Sequence, residues 1–226
     1  MSQDCILTPI ALIRTEFPAK FGIPRQAGLA EELRGKIVFE PAYRVDEALR
    51  GLEGFSHIWL IWGFSENRDR GWTPTVRPPR LGGNARLGVF ATRSPFRPNG
   101  LGLSCVRLLS LRKEEGLGTT LLVAGADLMD GTPIYDIKPY LPYADCRPEA
   151  GGGFAAGVPD RLEVLIPPEH KEKVPEEKRA ALMEVLAQDP RPSYQEDPER
   201  VYGMSFAGLE VRFRVENDRL LVLEIA

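Results

Sequence analysis

A mainly β N-terminal unit followed by a small α+β unit is the fold class that this 226-residue sequence predicts. Three observations predict it. The first two thirds of the chain consist of short apolar runs punctuated by Gly and Pro, the pattern of strands in a barrel or sandwich and not of a βαβ repeat. The stretch RPEAGGGFAAGVPD (147–160) is a composition shift that reads as a linker. Beyond it, one helical stretch stands among strands. The expected domains are therefore residues 1–150 and 151–226.

In chain order, strands are expected at Ile6–Arg14, Lys36–Phe39, Phe55–Phe64, Leu87–Ala91, Leu101–Leu111, Thr119–Ala126 and Ile134–Ile137. One helix is expected among them, because Val45, Ala48, Leu49 and Leu52 fall at i, i+3, i+4 and i+7 with Asp46 and Glu47 in the first turn, and Gly51 and Gly54 end it. In FSHIWLIWGF, Ile58, Leu60, Trp62 and Phe64 share one face and His57, Trp59 and Ile61 the other. Both faces are apolar enough for a buried central strand or one under an interface. Residues 65–86 and 92–100 are rich in Arg, Pro and Gly and read as long loops, which in compact domains tend to carry function. DLMDGTP (127–133) turns at Asp130-Gly131. After the linker come a strand at 162–166, a helix at 175–187, and a hairpin of 201–215 with 219–225 turned at Asn217-Asp218.

Composition narrows the function classes. With 43% hydrophobic and 27% charged residues the chain is globular and not disordered. Cys5, Cys105 and Cys146 are widely spaced, odd in number and form no CxxC, so neither a disulfide framework nor a zinc site is indicated and a reducing, cytoplasmic setting is expected. His57 and His170 are the only histidines, which argues against a metal site. The apolar patch at 5–13 is interrupted by Thr8 and Pro9 and is too short for a signal or membrane helix, so no membrane partner is expected. The net charge of −3 disfavours nonspecific coating of nucleic acid. Yet eight arginines fall between Arg68 and Arg107 against one acidic residue, Asp69, which allows a local anion-binding face on an acidic protein.

No GxSxG, GxxxxGK[ST], HExxH or GxGxxG is present, which disfavours the standard hydrolase, P-loop, zincin and dinucleotide sites. The strongest local feature is GVFATRSPFRPNGLGLS (88–104), a strand–turn–strand passage carrying Arg93 and Arg97 on a loop stiffened by Pro95 and Pro98. Stiffening lowers the entropy lost when an arginine grips an anion or a base. FPAKFGIPRQAG (17–28) and GWTPTVRPPRLGGNARLG (71–88) add Arg25, Arg77, Arg80 and Arg86 beside Trp72. Arginines interleaved with an aromatic suit looped RNA, although solvated arginines would leave the same pattern.

Taken together, FGIPRQAG, RGLEGFSHIWLIWGF, WTPTVRPPRLGGNARLGVFATRSPFRPNGLGLS and DLMDGTPIYDIKPYLPYAD resemble, in their order, the TsaA-like (TrmO-type) family, whose characterised members are tRNA adenine N6-methyltransferases. The resemblance runs from about residue 6 to 145, and DPRPSY (189–194) is similar to the second-domain signature of the bacterial members. It implies an antiparallel β-barrel of six or seven strands that binds S-adenosyl-L-methionine, a homodimer, and methylation of the threonylcarbamoyl-modified adenosine next to the anticodon of a threonine tRNA. Carried over by motif, the cofactor contacts fall on Gln26, Ala27, Gly28, Ser65, Glu66, Arg93, Leu103, Asp127, Leu128, Met129 and Asp130.

These residue types suit that cofactor, whose adenine, ribose, sulfonium and amino-acid groups call for acceptors and an apolar wall and not for a phosphate cradle. Asp127 and Asp130 would offer acceptors, and Leu103, Leu128 and Met129 the wall; Asp130 also reads as an ordinary Asp-Gly turn residue. Methyl transfer needs chiefly alignment of the acceptor nitrogen, with a proton acceptor as an aid. Asp136 is the candidate for that aid, with Tyr135, Lys138 and Tyr140 nearby; a surface Asp136–Lys138 pair is the alternative. His57 reads as a hydrogen-bonded core histidine. Arg25, Arg77, Arg80, Arg86, Arg97, Arg191 and Tyr194 are the RNA-contact candidates, for the anticodon arm. A noncatalytic RNA- or nucleoside-binding barrel is the alternative function.

Overall fold

The computed structural model describes residues 6–82, 84–192 and 197–226. The chain is mainly β, with a six-stranded sheet, a two-stranded ribbon and a four-stranded sheet. The N-terminal strands are β1 (Ala11–Arg14), β2 (Arg34–Phe39), β3 (His57–Gly63), β4 (Thr75–Val76), β5 (Leu87–Gly88), β6 (Leu101–Glu114), β7 (Gly118–Ala124) and β8 (Pro133–Pro139). Six of them form an antiparallel closed barrel in the order β1-β2-β7-β6-β3-β8, sealed where Ala11 pairs with Ile134. Inward-facing residues build its core: Ile37 on β2, Ile58 and Leu60 on β3, Val106 on β6 and Val123 on β7 are all fully buried. Each such side chain contributes about 1.5–3 kcal/mol of hydrophobic stabilisation.

Several sequence-based expectations change here. In place of the helix at 45–52 there are two short 3-10 turns, Asp46–Leu49 and Leu52–Gly54, preceded by a third at Pro41–Tyr43. Val45 is extended and Gly51 adopts a left-handed φ of 87°, so the backbone cannot carry one continuous helix through this stretch. The strand expected at 87–91 pairs only at Leu87 and Gly88, with β4, before a 3-10 turn at Val89–Ala91. The second face of β3 is not buried: His57, Trp59 and Ile61 remain half-exposed on the outside of the barrel.

The rest comprises α1 (Pro142–Asp145), β9 (Glu163–Leu165), α2 (Pro168–Lys171), α3 (Glu176–Ala187), β10 (Tyr202–Phe206), β11 (Leu209–Glu216) and β12 (Arg219–Ile225). The four strands form one sheet in the order β10-β11-β12-β9. The single strand expected at 201–215 is two, because Ala207 and Gly208 both take positive φ and turn the chain back on itself. A second core forms around Leu182, Leu186, Phe206 and Phe213. It also takes in Phe17, Ala30 and Leu33 from the segment between β1 and β2, so that segment is clamped by the C-terminal sheet.

Candidate active site

The site begins with a close approach of two backbones. Gly125 follows β7 with φ +76°, and a Cβ there would lie 3.3 Å from Gly28 Cα. With no side chain in the way, the Gly28 N–H donates to Gly125 O at 2.9 Å, and the Gly125 N–H to Leu33 O at 3.0 Å. The 125–127 turn and the first loop are thereby laid edge to edge.

Asp127 emerges at that junction. Its carboxylate accepts from the Ser104 hydroxyl at 2.6 Å and from the Ala27 backbone N–H, with the Arg93 guanidinium nearby. Burial pushes its pKa above the ordinary carboxylate value, while Ser104, backbone N–H groups and Arg93 oppose the rise. The Trp62 indole N–H donates to Ser104 Oγ at 3.0 Å, so Trp62, Ser104 and Asp127 form one chain from the barrel core to the loops. Gln26 Oε1 accepts from Arg93, tying the first loop to the 92–100 loop. The structure thus gathers Gln26, Ala27, Gly28, Arg93 and Asp127 at one place.

Ser104 and Trp62 were not among the sequence-based candidates. The available signal was a hydroxyl on the inward face of an otherwise apolar strand, since a buried polar group demands a partner.

Other candidates stand differently. Leu128 is fully buried in the barrel core, so its side chain walls no site; its carbonyl accepts from Thr15 Oγ1 at 3.0 Å. Asp130 is engaged with β1 and the residue after it: one oxygen accepts from the Thr15 N–H at 3.0 Å, the other from Arg14 at 3.3 Å. Met129 offers its carbonyl to Thr132 Oγ1 at 2.7 Å. The 128–130 passage is therefore a turn fastened to the β1 end. Ser65 and Glu66 open a 3-10 turn directly after β3, Ser65 half-buried and Glu66 exposed.

Leu103 and Asp136 lie on the opposite side of the barrel wall from Ser104. Both pair with Ile61, giving an outer row Leu103–Ile61–Asp136 in which Leu103 is 54% exposed. Asp136 forms a 2.9 Å ion pair with Lys138 and accepts the Ile137 N–H at 2.9 Å. His57 is a half-exposed residue of the same face, hydrogen-bonded to Ser56 at 2.9 Å and edge-on to Tyr140, not a core histidine.

The arginines separate into two groups. Arg77 and Arg86 are exposed in the segment joining β4 to β5, Arg86 on Thr75 Oγ1 at 3.1 Å, and Arg80 beside them reaches Gly157 O. Arg25 is exposed and donates to Arg191 O at 3.1 Å. Arg97 instead braces its own loop, donating to Thr92 O at 2.7 Å and Val89 O at 3.2 Å, and Arg191 grips both oxygens of Asp189 at 2.9 Å. Tyr194 lies outside the described residues. Among the described residues no group of three or more His, Cys, Asp or Glu is placed to hold a metal ion, and no helix is long and apolar enough to cross a membrane.

The sequence model of the tRNA-methyltransferase O N-terminal domain matches residues 12–146, and that of the TrmO C-terminal domain matches residues 159–226. A tRNA (adenine(37)-N6)-methyltransferase of Escherichia coli K12 is 43% identical over 215 residues, covering 91% of each chain. A Pseudomonas aeruginosa protein whose name places it among S-adenosylmethionine-dependent methyltransferases is 42% identical over 229 residues, covering 97% of each. A crystal structure of TrmO from P. aeruginosa superposes with a TM-score of 0.81 at 36% identity, covering 100% of this chain and 98% of that one. With both domains matched along almost its whole length, the chain belongs to the tRNA-methyltransferase O family.

Proposed function

We propose that this protein is an S-adenosyl-L-methionine-dependent enzyme that methylates N6 of the threonylcarbamoyl-modified adenosine next to the anticodon of a threonine tRNA. The tRNA (adenine-N6)-methyltransferase activity and its cofactor follow from family membership. The threonylcarbamoyl group and the tRNA identity rest on the resemblance of the motifs alone.

The observation that carries the reading is the Asp127 set. A largely buried carboxylate, an exposed guanidinium and a carboxamide within one small volume fit a ligand that bears both a cation and a carboxylate. Arg93 and Gln26 would hold the carboxylate end of the cofactor, and Asp127 would accept from its ammonium or ribose hydroxyls. When bound, the cofactor supplies an electrophilic methyl group. The chain's contribution is orientation: the Trp62–Ser104–Asp127 relay fixes the carboxylate, and the C-terminal sheet fixes the first loop. Asp136 is proposed as the proton acceptor, from the outer row it shares with Leu103.

A homodimer belongs to the same proposal. Leu103 and Tyr143 are exposed, and Trp59 and Ile61 half-exposed, on or near the outer face of the barrel, an apolar surface that a second copy would cover. Exposed Arg25, Arg77, Arg80 and Arg86 are the proposed phosphate contacts, and the cytoplasm the proposed setting.

The test is calorimetric titration of the cofactor, followed by nucleoside mass analysis of tRNA from cells lacking the activity. Saturable binding and one methyl gained on the modified adenosine are expected. Binding of tRNA without any methyl gained would instead make the chain a noncatalytic RNA-binding barrel.

A further inference from the structure

Between the 92–100 loop and the end of β3 lies a cleft of about 430 Å³, within the size range of small-molecule sites. Phe64, Trp72, Tyr135, Arg97 and Asn99 are among its walls. Three features show that it is built and not incidental. Gly63 has no room for a side chain, since a Cβ would lie 2.7 Å from Tyr135 Cε2 and 2.8 Å from its hydroxyl oxygen, so the edge of the Tyr135 ring is packed against the end of β3. The opposite wall is stiff: Arg97 holds the carbonyls of Val89 and Thr92, and the Phe64 N–H donates to Gly100 O at 2.9 Å. Trp72, 53% exposed, leaves a large aromatic surface beside solvent.

The cleft and the Asp127 set share two elements. The 92–100 loop carries Arg93 to Gln26 and carries Arg97 and Asn99 to the cleft. The end of β3 carries Trp62 to Ser104 and Phe64 to the cleft, the two rings touching edge to face at 4.5 Å.

We propose, resting on the function above, that this cleft receives the acceptor nucleoside of the RNA as an unstacked purine. Trp72 supplies the stacking surface and the Asn99 amide addresses the base edge. An unstacked base in an RNA loop is recognised by stacking on aromatic side chains and by hydrogen bonds to its edges, and the cleft offers both kinds of group. The adenosine of the cofactor has the same chemistry and is the competing occupant.

The experiment is a cycle on binding, independent of turnover. Anticodon stem-loop RNA, intact or lacking the base at the target position, is titrated by fluorescence anisotropy against the wild type, Trp72→Ala and Trp72→Phe, with cofactor affinity measured by calorimetry on the same three proteins. Trp72→Ala should weaken the intact RNA about 5- to 150-fold, as loss of one stacked base does. It should leave the base-free RNA and the cofactor affinity unchanged, and Trp72→Phe should recover most of the loss. Equal effects on both RNAs, no effect on either, or a matching loss of cofactor affinity would each overturn the assignment. Failure of the functional reading shows elsewhere, as a wild type that adds no methyl to tRNA.

Discussion

The Ser104 hydroxyl donates to Asp127 Oδ1 at 2.6 Å while accepting from the Trp62 indole at 3.0 Å. A carboxylate that burial would drive toward its protonated form is thus held by donors from both the barrel and the first loop. Because the folded-state pKa lies above the unfolded value, the group's contribution to stability is fully present below the unfolded pKa and is lost as pH rises through the folded one. Asp127→Asn should therefore be more stable than the wild type at pH 7, with the difference shrinking as pH falls toward the ordinary carboxylate value of about 3.9. Urea melts from pH 4 to 8 read this directly. Cofactor affinity should move the opposite way, weakened in the variant at pH 7. A variant with unchanged affinity removes Asp127 from the binding site.

The first loop is held by the C-terminal sheet and helix α3. Phe17 packs edge to face on Phe206 at 5.6 Å, Lys178 pairs with Glu16, and Glu184 accepts the Glu32 N–H at 2.8 Å. Phe206→Ala should cost about 3–5 kcal/mol in the unfolding free energy. Hydrogen exchange over residues 17–30 should quicken more than in the barrel strands, and cofactor affinity should fall with it. Unchanged exchange in that segment would mean the loop is held by the barrel alone.

Asp130 tests the difference between fastening a turn and touching a ligand. Asp130→Ala leaves the Thr15 N–H without its partner and should cost about 1–2 kcal/mol. Asp130→Asn keeps an acceptor there and should retain most of the stability and most of the cofactor affinity. A loss of affinity in Asp130→Asn as large as that in Asp127→Asn would assign Asp130 a direct contact.

Gly102 lies under the Trp62 indole, where a Cβ would come within 2.3 Å of the ring. Gly102→Ala should destabilise the fold by about 1–3 kcal/mol or more by displacing the indole. That movement breaks the bond to Ser104, so near-ultraviolet circular dichroism should change and cofactor affinity fall. Gly100→Ala, two residues away and facing open space, is the control and should be close to neutral. Equal stability for the two variants would contradict the packing described.

What could be read from the sequence was whatever depends on local chemistry. Short apolar runs bounded by Gly and Pro placed β2, β3 and β7 close to their observed ranges. The Asn217-Asp218 turn and helix α3 were legible from local residue types as well. The 45–52 stretch was misread because its apolar spacing matches a helix while Val45 and Gly51 place the backbone outside helical geometry. Only the closed barrel decided which residues meet. It turned Ser104 inward toward Asp127 and Leu103 outward beside Ile61 and Asp136, although Leu103 and Ser104 are neighbours in sequence. It also left Asp130 fastened to Thr15 and brought Gly28 against Gly125 across almost a hundred residues, contacts that strand pairing creates and no local pattern encodes.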